Sequence, residues 1–372
     1  ALVCKIAISD SGEVGDFEFM EATVRSRGKL SYYGVDRYLS GQGDDLMSHA
    51  TPLEALYQVF RALRGYREQH GLVMEDRREY RWILNDAKQI ETIEPYEKLL
   101  SQKLVEECMI AANRCAANFL KTNDASGPFV VHPGIRADRL EEARKFLAMH
   151  APAVADTDPS TVAGYRDIMR CLSSTDNALP LRGMINRLLT RAALSTVPGA
   201  HMGMALDCYS NCTSPLRKYV DFLVHLQIKS VLHDGRADRV TPQTLGQLAE
   251  RLANSRNASI EAERWLASKY LTRLASTGDT TFKAHISHVN SSGFTVRLDD
   301  NGLEGFVDLR KDPEKFSYDK WTASLTSTSR RFQLEQAVEL RYSGVDRDNQ
   351  YRSLFEPVEG CGLKPPKEEK TG

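Results

Sequence analysis

Thr213-Ser214-Pro215-Leu216-Arg217-Lys218-Tyr219 decides how this chain is read, because it sets two cations directly behind a Ser-Pro pair. Ser caps free backbone N–H groups, and Pro fits a first helical turn because it has no N–H to lose. The pair predicts a helix opening at Ser214–Pro215, with Leu216, Tyr219, Val220, Leu223 and Ile228 as its apolar face. Arg217 and Lys218 then fall in the first turn, where the helix dipole favours negative charge. Two explanations stand. Either an anion docks there, met by N–H groups and both cations, or Arg217 pairs with Asp221 and Lys218 is merely solvated.

Upstream, the strongest helical period runs from about Pro95 to Leu120, with Leu104, Cys108, Ala111, Ala112 and Cys115 as its stripe. Its alanines add propensity. Glu106 and Asn113 are two turns apart and share a face. A carboxylate beside an apolar stripe is costly unless paired. Glu106 therefore either meets a metal, a water or a sugar hydroxyl, or it is a surface residue.

The first residues alternate, with Leu2, Cys4, Ile6 and Ile8 opposite Val3, Lys5, Ala7 and Ser9. A turn at Ser11–Gly12 and a second strand over Phe17–Val24 complete a β-hairpin. Tyr32 and Tyr33 follow Arg25, Arg27 and Lys29. Rings beside cations suit single-stranded RNA, where bases stack and phosphates are tracked; the alternative is core tyrosines behind a solvated strand edge. A helix is expected over Thr51–His70, with strands at Gly71–Met74 and Tyr80–Leu84. Small helices are expected between Ala137 and Ser195, and a long helix over Thr241–Ala275.

Beyond a linker at Ser276–Gly278 the period changes to two. Phe282, Ala284 and Ile286 alternate, then Phe294, Val296 and Leu298, then Val338, Leu340 and Tyr342, with Gly-containing turns between the first two pairs of strands. Short strands at this spacing suggest a small closed barrel such as an OB-fold. Its Phe282, His285, His288, Phe294 and Phe306 are read mainly as core. From Val358 the chain is rich in Pro, Gly and Lys and is expected to be disordered.

At 372 residues, with 41% hydrophobic and 27% charged, the chain has room for more than one domain and for an unaided core. A net charge of −1 argues mildly against a polyanion partner, so only a local basic groove would serve RNA. The 7 cysteines include no CxxC pair and are expected to be reduced, in a cytoplasmic setting. Cys208 and Cys212 could share a helical face. His132, His201 and His225 are far apart in sequence, so no His-based metal site is assigned. No apolar run is long enough to span a membrane.

In combination these signals resemble the ribonuclease II (RNB) family. Leu104-Val105-Glu106-Glu107-Cys108 with Ala111-Ala112-Asn113 resembles its Glu-Glu and Ala-Asn helix. His201-Met202-Gly203-Met204-Ala205, followed by Tyr209 to Asp221 with the Thr-Ser-Pro-Leu-Arg-Lys-Tyr stretch, resembles its signature. The resemblance runs to about Pro357. It implies an α+β fold: an RNB-type catalytic domain with mixed sheet and helices over residues 1–278, amino-terminal part missing, an OB-fold RNA-binding barrel over 279–357, and a disordered tail over 358–372.

The resemblance also implies a Mg²⁺-dependent exoribonuclease that trims single-stranded RNA processively from the 3′ end to nucleoside 5′-monophosphates. Arg217 would clamp the scissile phosphate. Glu106 and Tyr32 would position the terminal nucleotides, and Lys218, Asn113, Tyr209 and Met74 would contact RNA. Met74 stands where the family has a stacking aromatic, and Cys212 where a bulky aromatic is usual. The family's metal-binding Asp-x5-Asp-x-Asp-Asp pattern is not found: Asp10 and Asp16 have the first gap, but Glu18 and Phe19 follow. Asp44–Asp45 and Asp299–Asp300 lack the partners. The chain also begins at Ala1, inside a strand pattern. The expectation is a carboxyl-terminal half that cannot hydrolyse RNA alone, completed by an amino-terminal segment or a separate chain. The rival expectation is a non-catalytic RNA-binding or scaffold protein on the same fold.

Overall fold

The computed structural model describes residues 1–43, 46–72, 78–174, 181–235, 240–278 and 281–365. In chain order the elements are β1 (Leu2–Ile8), β2 (Val14–Glu21), α1 (Tyr32–Leu39), α2 (Ala50–His70), β3 (Glu79–Leu84), β4 (Ile90–Tyr96), α3 (Leu100–Thr122) and β5 (Phe129–Val131). They continue with α4 (Leu140–His150), α5 (Val162–Ser174), α6 (Leu181–Asn186), β6 (Ala193–Ser195), α7 (Tyr219–Asp234) and α8 (Pro242–Ser276). Last come β7 (Thr281–Asn290), β8 (Gly293–Leu298), β9 (Glu304–Asp308), β10 (Ser317–Asp319), β11 (Ser324–Thr326), β12 (Arg331–Gln333), β13 (Ala337–Asp346) and β14 (Arg352–Pro357). The architecture is α+β, with an all-β barrel at the carboxyl end.

Two compact units form. The first holds β1–β2, α1–α3, β5, α4–α6, β6, α7 and the start of α8 to Arg251. Its centre is the second half of α3. Ala116, Ala117 and Leu120 are fully buried there, packed with Phe19, Phe129, Val224, Ile228 and the thiols of Cys115, Cys208 and Cys212. Leu2, Cys4 and Ile6 of β1 lean on the same cluster, which is the inward face the alternation predicts. Small side chains let β1–β2, β5 and α7 all approach α3 closely. Cys208 and Cys212 do meet in this core, but in irregular chain rather than on a helix.

The second unit takes the β3–β4 hairpin and α8 from Leu252, together with β7–β14. Five of its strands close a barrel in the order β7-β8-β9-β14-β13. All pairs are antiparallel except β14 with β9, which gives the closure of an OB-fold. Ala284, Ile286, Phe294, Val296 and Leu340 fill it with no exposed surface. His285, by contrast, points outward, 2.6 Å from Asp299.

Several expectations need correction. Pro95 does not open a helix; it lies in β4 opposite Tyr80, and α3 starts only at Leu100. A proline has no ladder N–H, and a two-stranded hairpin has free edges that tolerate this. Residues 358–365, expected to be disordered, are held in place: Val358 N–H donates to the Glu339 carbonyl at 3.1 Å, and Leu363 and Arg331 exchange two backbone bonds of 2.8 Å. The expected strand at Gly71–Met74, and Met74 itself, reach outside the described residues, as do residues 366–372.

Candidate nucleic-acid interface

The Thr-Ser-Pro-Leu-Arg-Lys stretch is not helical. The Ser214 hydroxyl caps no N–H group among the described residues. Its carbonyl accepts the Arg217 and Lys218 N–H groups at 3.2 and 2.9 Å, closing a turn, and α7 begins at Tyr219. Its N–H donates to Asp221 Oδ2 at 2.8 Å. The cause is Asp221, whose carboxylate in the first turn of α7 suits the dipole and reaches back to hold the chain before it. Of the expected apolar face, Val220 and Ile228 are buried, together with Val224 and Val231, whereas Leu216 and Tyr219 are exposed. The Arg217–Asp221 pair does not form either. Asp221 is 1% exposed and taken by Ser214, with its Oδ1 left without a partner among the described residues. Arg217 and Lys218 stand in solvent, with no side-chain ion pair or hydrogen bond among the described residues.

The loop that carries these cations is tied to α3. Asn113 accepts the Cys212 N–H at 2.8 Å and donates to the Tyr209 hydroxyl at 2.8 Å. His225 of α7 sits 2.7 Å from the Cys212 carbonyl, so its Nε2 donates there. Ser210 donates to the Pro128 carbonyl at 2.6 Å, and the Cys212 thiol to that of Ala112 at 3.7 Å. Asn113 and Tyr209, expected as RNA contacts, are thus buried and committed to each other. Their side-chain bonds position the loop. Burial raises the Tyr209 phenol and drives the Cys212 thiol up to about 12, so both are neutral.

Behind Tyr209 lie the two histidines. His132 and His201 stack at 5.4 Å, and the His201 ring meets Tyr209 edge-on at 5.6 Å. Gly203 N–H donates to His132 Nδ1 at 3.3 Å, and His201 Nδ1 has no partner among the described residues. Burial lowers both imidazoles, and His132 lowers His201 further. Both rings are therefore neutral near pH 7. Residues far apart in sequence do meet here, though as a pair rather than a metal set.

Glu106 is half-exposed and paired with Lys98. The buried carboxylate of α3 is its neighbour. Glu107 is 3% exposed, accepts Arg67 Nε at 3.0 Å and a second Arg67 nitrogen, and lies 3.4 Å from Arg64. The signal was present: Glu107 follows Leu104 by three and precedes Ala111 by four, on the apolar stripe itself. Arg67 and Glu107 help line a 210 Å³ cavity with Arg114 and Asp207, and no residue expected to touch RNA lines it. Tyr32 opens α1 behind a Ser31 cap, and Ser101 of α3 donates to its carbonyl at 2.8 Å. Tyr32 and Tyr33 are 49% and 59% exposed, so they are surface rings and not core.

Among the described residues no three His, Cys, Asp or Glu side chains stand where one cation could be held. Among them also, no helix is long and apolar enough to cross a membrane.

An RNB-domain family model matches residues 1–234. The "Exoribonuclease 2" of Yersinia enterocolitica is 37% identical over 316 residues, covering 82% of this chain and 48% of that protein. Among solved structures, apo RNase R of Mycoplasma genitalium superposes with a TM-score of 0.78 at 20% identity, covering 96% of this chain and 57% of that one. The same RNase R in complex with ribose methylated single-stranded RNA gives 0.75 at 20% identity, with the same coverage. The chain belongs to the RNB-domain family. It spans about half the length of the curated relatives it matches, 48% of the first.

Proposed function

We propose that this chain is the RNA-positioning part of a 3′-to-5′ exoribonuclease that hydrolyses single-stranded RNA processively to nucleoside 5′-monophosphates. The observation that carries the reading is the pinned Tyr209–Lys218 loop. It holds two cations, unpaired among the described residues, on a turn fixed to α3 by Asn113 and to α7 by His225 and Asp221. A guanidinium without a protein partner keeps its five N–H donors for a phosphate. Holding the turn rigid lowers the cost of ordering it on binding. Lys218 adds a point charge, and the Tyr32 ring offers a face for a base. The RNB family match and the RNase R neighbour bound to RNA support RNA as the ligand.

Glu106 acts in this reading by exchanging its Lys98 partner for a ribose hydroxyl. The chain by itself is proposed to bind RNA without cleaving it. The test incubates the chain with labelled single-stranded RNA and Mg²⁺. Saturable binding with intact RNA is expected; release of mononucleotides contradicts the division of labour, and absence of binding contradicts the RNA reading.

A further inference from the structure

The second unit contains a cavity of 560 Å³ that the reading above leaves unused. Its walls come from three elements of that unit. Strand β3 alternates, so Tyr80 and Trp82 share one face. Tyr80 docks that face on the barrel: its hydroxyl donates to the Asp299 carbonyl at 3.1 Å, and its ring packs on Gly302 so closely that a Cβ there would lie 2.2 Å from it. Gly302, at φ +68°, is required at this turn for both reasons. Trp82, two residues on, is thereby fixed as a cavity wall. Arg273 of α8 also donates to the Ile90 carbonyl in β4, tying the hairpin to the helix.

Ile260, Arg264 and Ala267 of α8 fall at helical spacing on one face that also lines the cavity. The barrel adds Phe306 of β9 and Arg352 of β14. The Arg352 guanidinium lies 5.0 Å from the Phe306 ring centre, and Arg264 donates to the neutral Gln350 amide at 3.0 Å. Among the described residues neither cation is paired with a carboxylate. Glu304, which also lines the cavity, is neutralised by Arg297 at 3.1 Å. The result is a recess lined by the rings of Trp82 and Phe306 and by two guanidinium groups, with Glu263 as its other carboxylate. Its volume lies within the several hundred Å³ typical of small-molecule sites.

We propose that this cavity holds one nucleotide of a single-stranded RNA, with its base against Trp82 and its phosphate between Arg264 and Arg352. This deepens the RNA reading by naming a second point of attachment, made by the hairpin, α8 and the barrel together. A π-face accepts any base, so the site is expected to be tolerant of sequence. The same chemistry would admit a free mononucleotide, but a strand is favoured because its other nucleotides are held elsewhere and raise the local concentration of the one that enters.

The test uses the whole chain and tryptophan fluorescence, titrated with an adenosine oligoribonucleotide and, separately, with adenosine 5′-monophosphate. Trp82→Phe identifies the share of the signal that arises in the cavity. Quenching by the oligomer is expected, lost in Trp82→Phe. RNA affinity is expected to fall at least about fivefold in Trp82→Ala and less in Trp82→Phe, which keeps a ring. Arg352→Gln provides a second variant that leaves the cavity wall in place and should weaken oligomer binding. Oligomer binding that is undiminished in Trp82→Ala and Arg352→Gln overturns this site and leaves the Arg217 reading intact. Tighter quenching by the mononucleotide than by the oligomer overturns the strand assignment. No RNA binding by the unaltered chain overturns both readings together.

Discussion

Asn113 Nδ2 lies 2.8 Å from the Tyr209 hydroxyl. One amide side chain thereby joins the central helix of the first unit to the loop that presents Arg217, since its Oδ1 also receives the Cys212 N–H. Each group is buried, so each would be costly to leave unpaired.

Asn113→Ala removes both bonds at once and strands a phenol and an amide. The expected loss is about 2–4 kcal/mol of stability, read as a lower urea midpoint at an unchanged slope. An unaltered midpoint would show that the loop does not depend on this amide.

Glu107→Ala leaves Arg67 facing an empty partner position at a site where the carboxylate was 3% exposed. Breaking a buried pair from one side costs about 3–5 kcal/mol. Glu107→Gln should recover part of it, because an amide oxygen still accepts Arg67 Nε. Thermal unfolding of the two variants ranks them; equal losses would argue against the hydrogen bonds.

The His132–His201 stack makes the loop sensitive to acid. Both folded pKa values lie below the ordinary 6.5, first through burial, and for His201 also through its histidine neighbour. A lowered histidine contributes stability that is complete above the unfolded value and is lost as pH falls through the folded one. Stability should therefore decline as pH drops below about 6.5. His201→Gln should flatten that part of the profile. A profile identical in both proteins between pH 7 and 5 would contradict the assignment.

In the second unit the sign is that of a carboxylate. Hydrogen bonds from the Ser327 and Ser329 hydroxyls, then the Ser329 N–H and the Arg330 charge, hold Glu314 down at about 2. Its contribution is present above the ordinary 4.5 and is lost as pH falls toward about 2. Glu314→Gln should remove this acid dependence, followed by the unfolding of the region around β10–β12 at pH 2 to 5.

Much of the fold was legible in the sequence where period and burial agree. The hairpin β1–β2, the helices α2 and α8 and the alternating barrel strands follow from spacing alone. Pro95 misled because a helix-like composition began before the helix did. The Ser-Pro signal misled because the decisive partner of Ser214, the Asp221 carboxylate, belongs to α7 and reaches back against the chain direction. Asn113 was singled out, but its role was not legible. It lies on the side of α3 away from the stripe, and that side is buried only because the distant Tyr209–Cys212 segment covers it. Glu107 could have been found from the stripe and Trp82 from the alternation of β3. The cavity beside Trp82 could not, since α8 and the barrel reach it from far along the chain.

In the proposed function, Arg217 is held ready for a phosphate that carries charge in the transition state. The most direct measurement compares Arg217→Ala with the unaltered intact protein, taking single-turnover rate and RNA affinity side by side. The rate is expected to fall by about two decades, or ~3 kcal/mol, with affinity changed by less than about tenfold. Equal losses in rate and affinity, or no loss in either, would contradict this role.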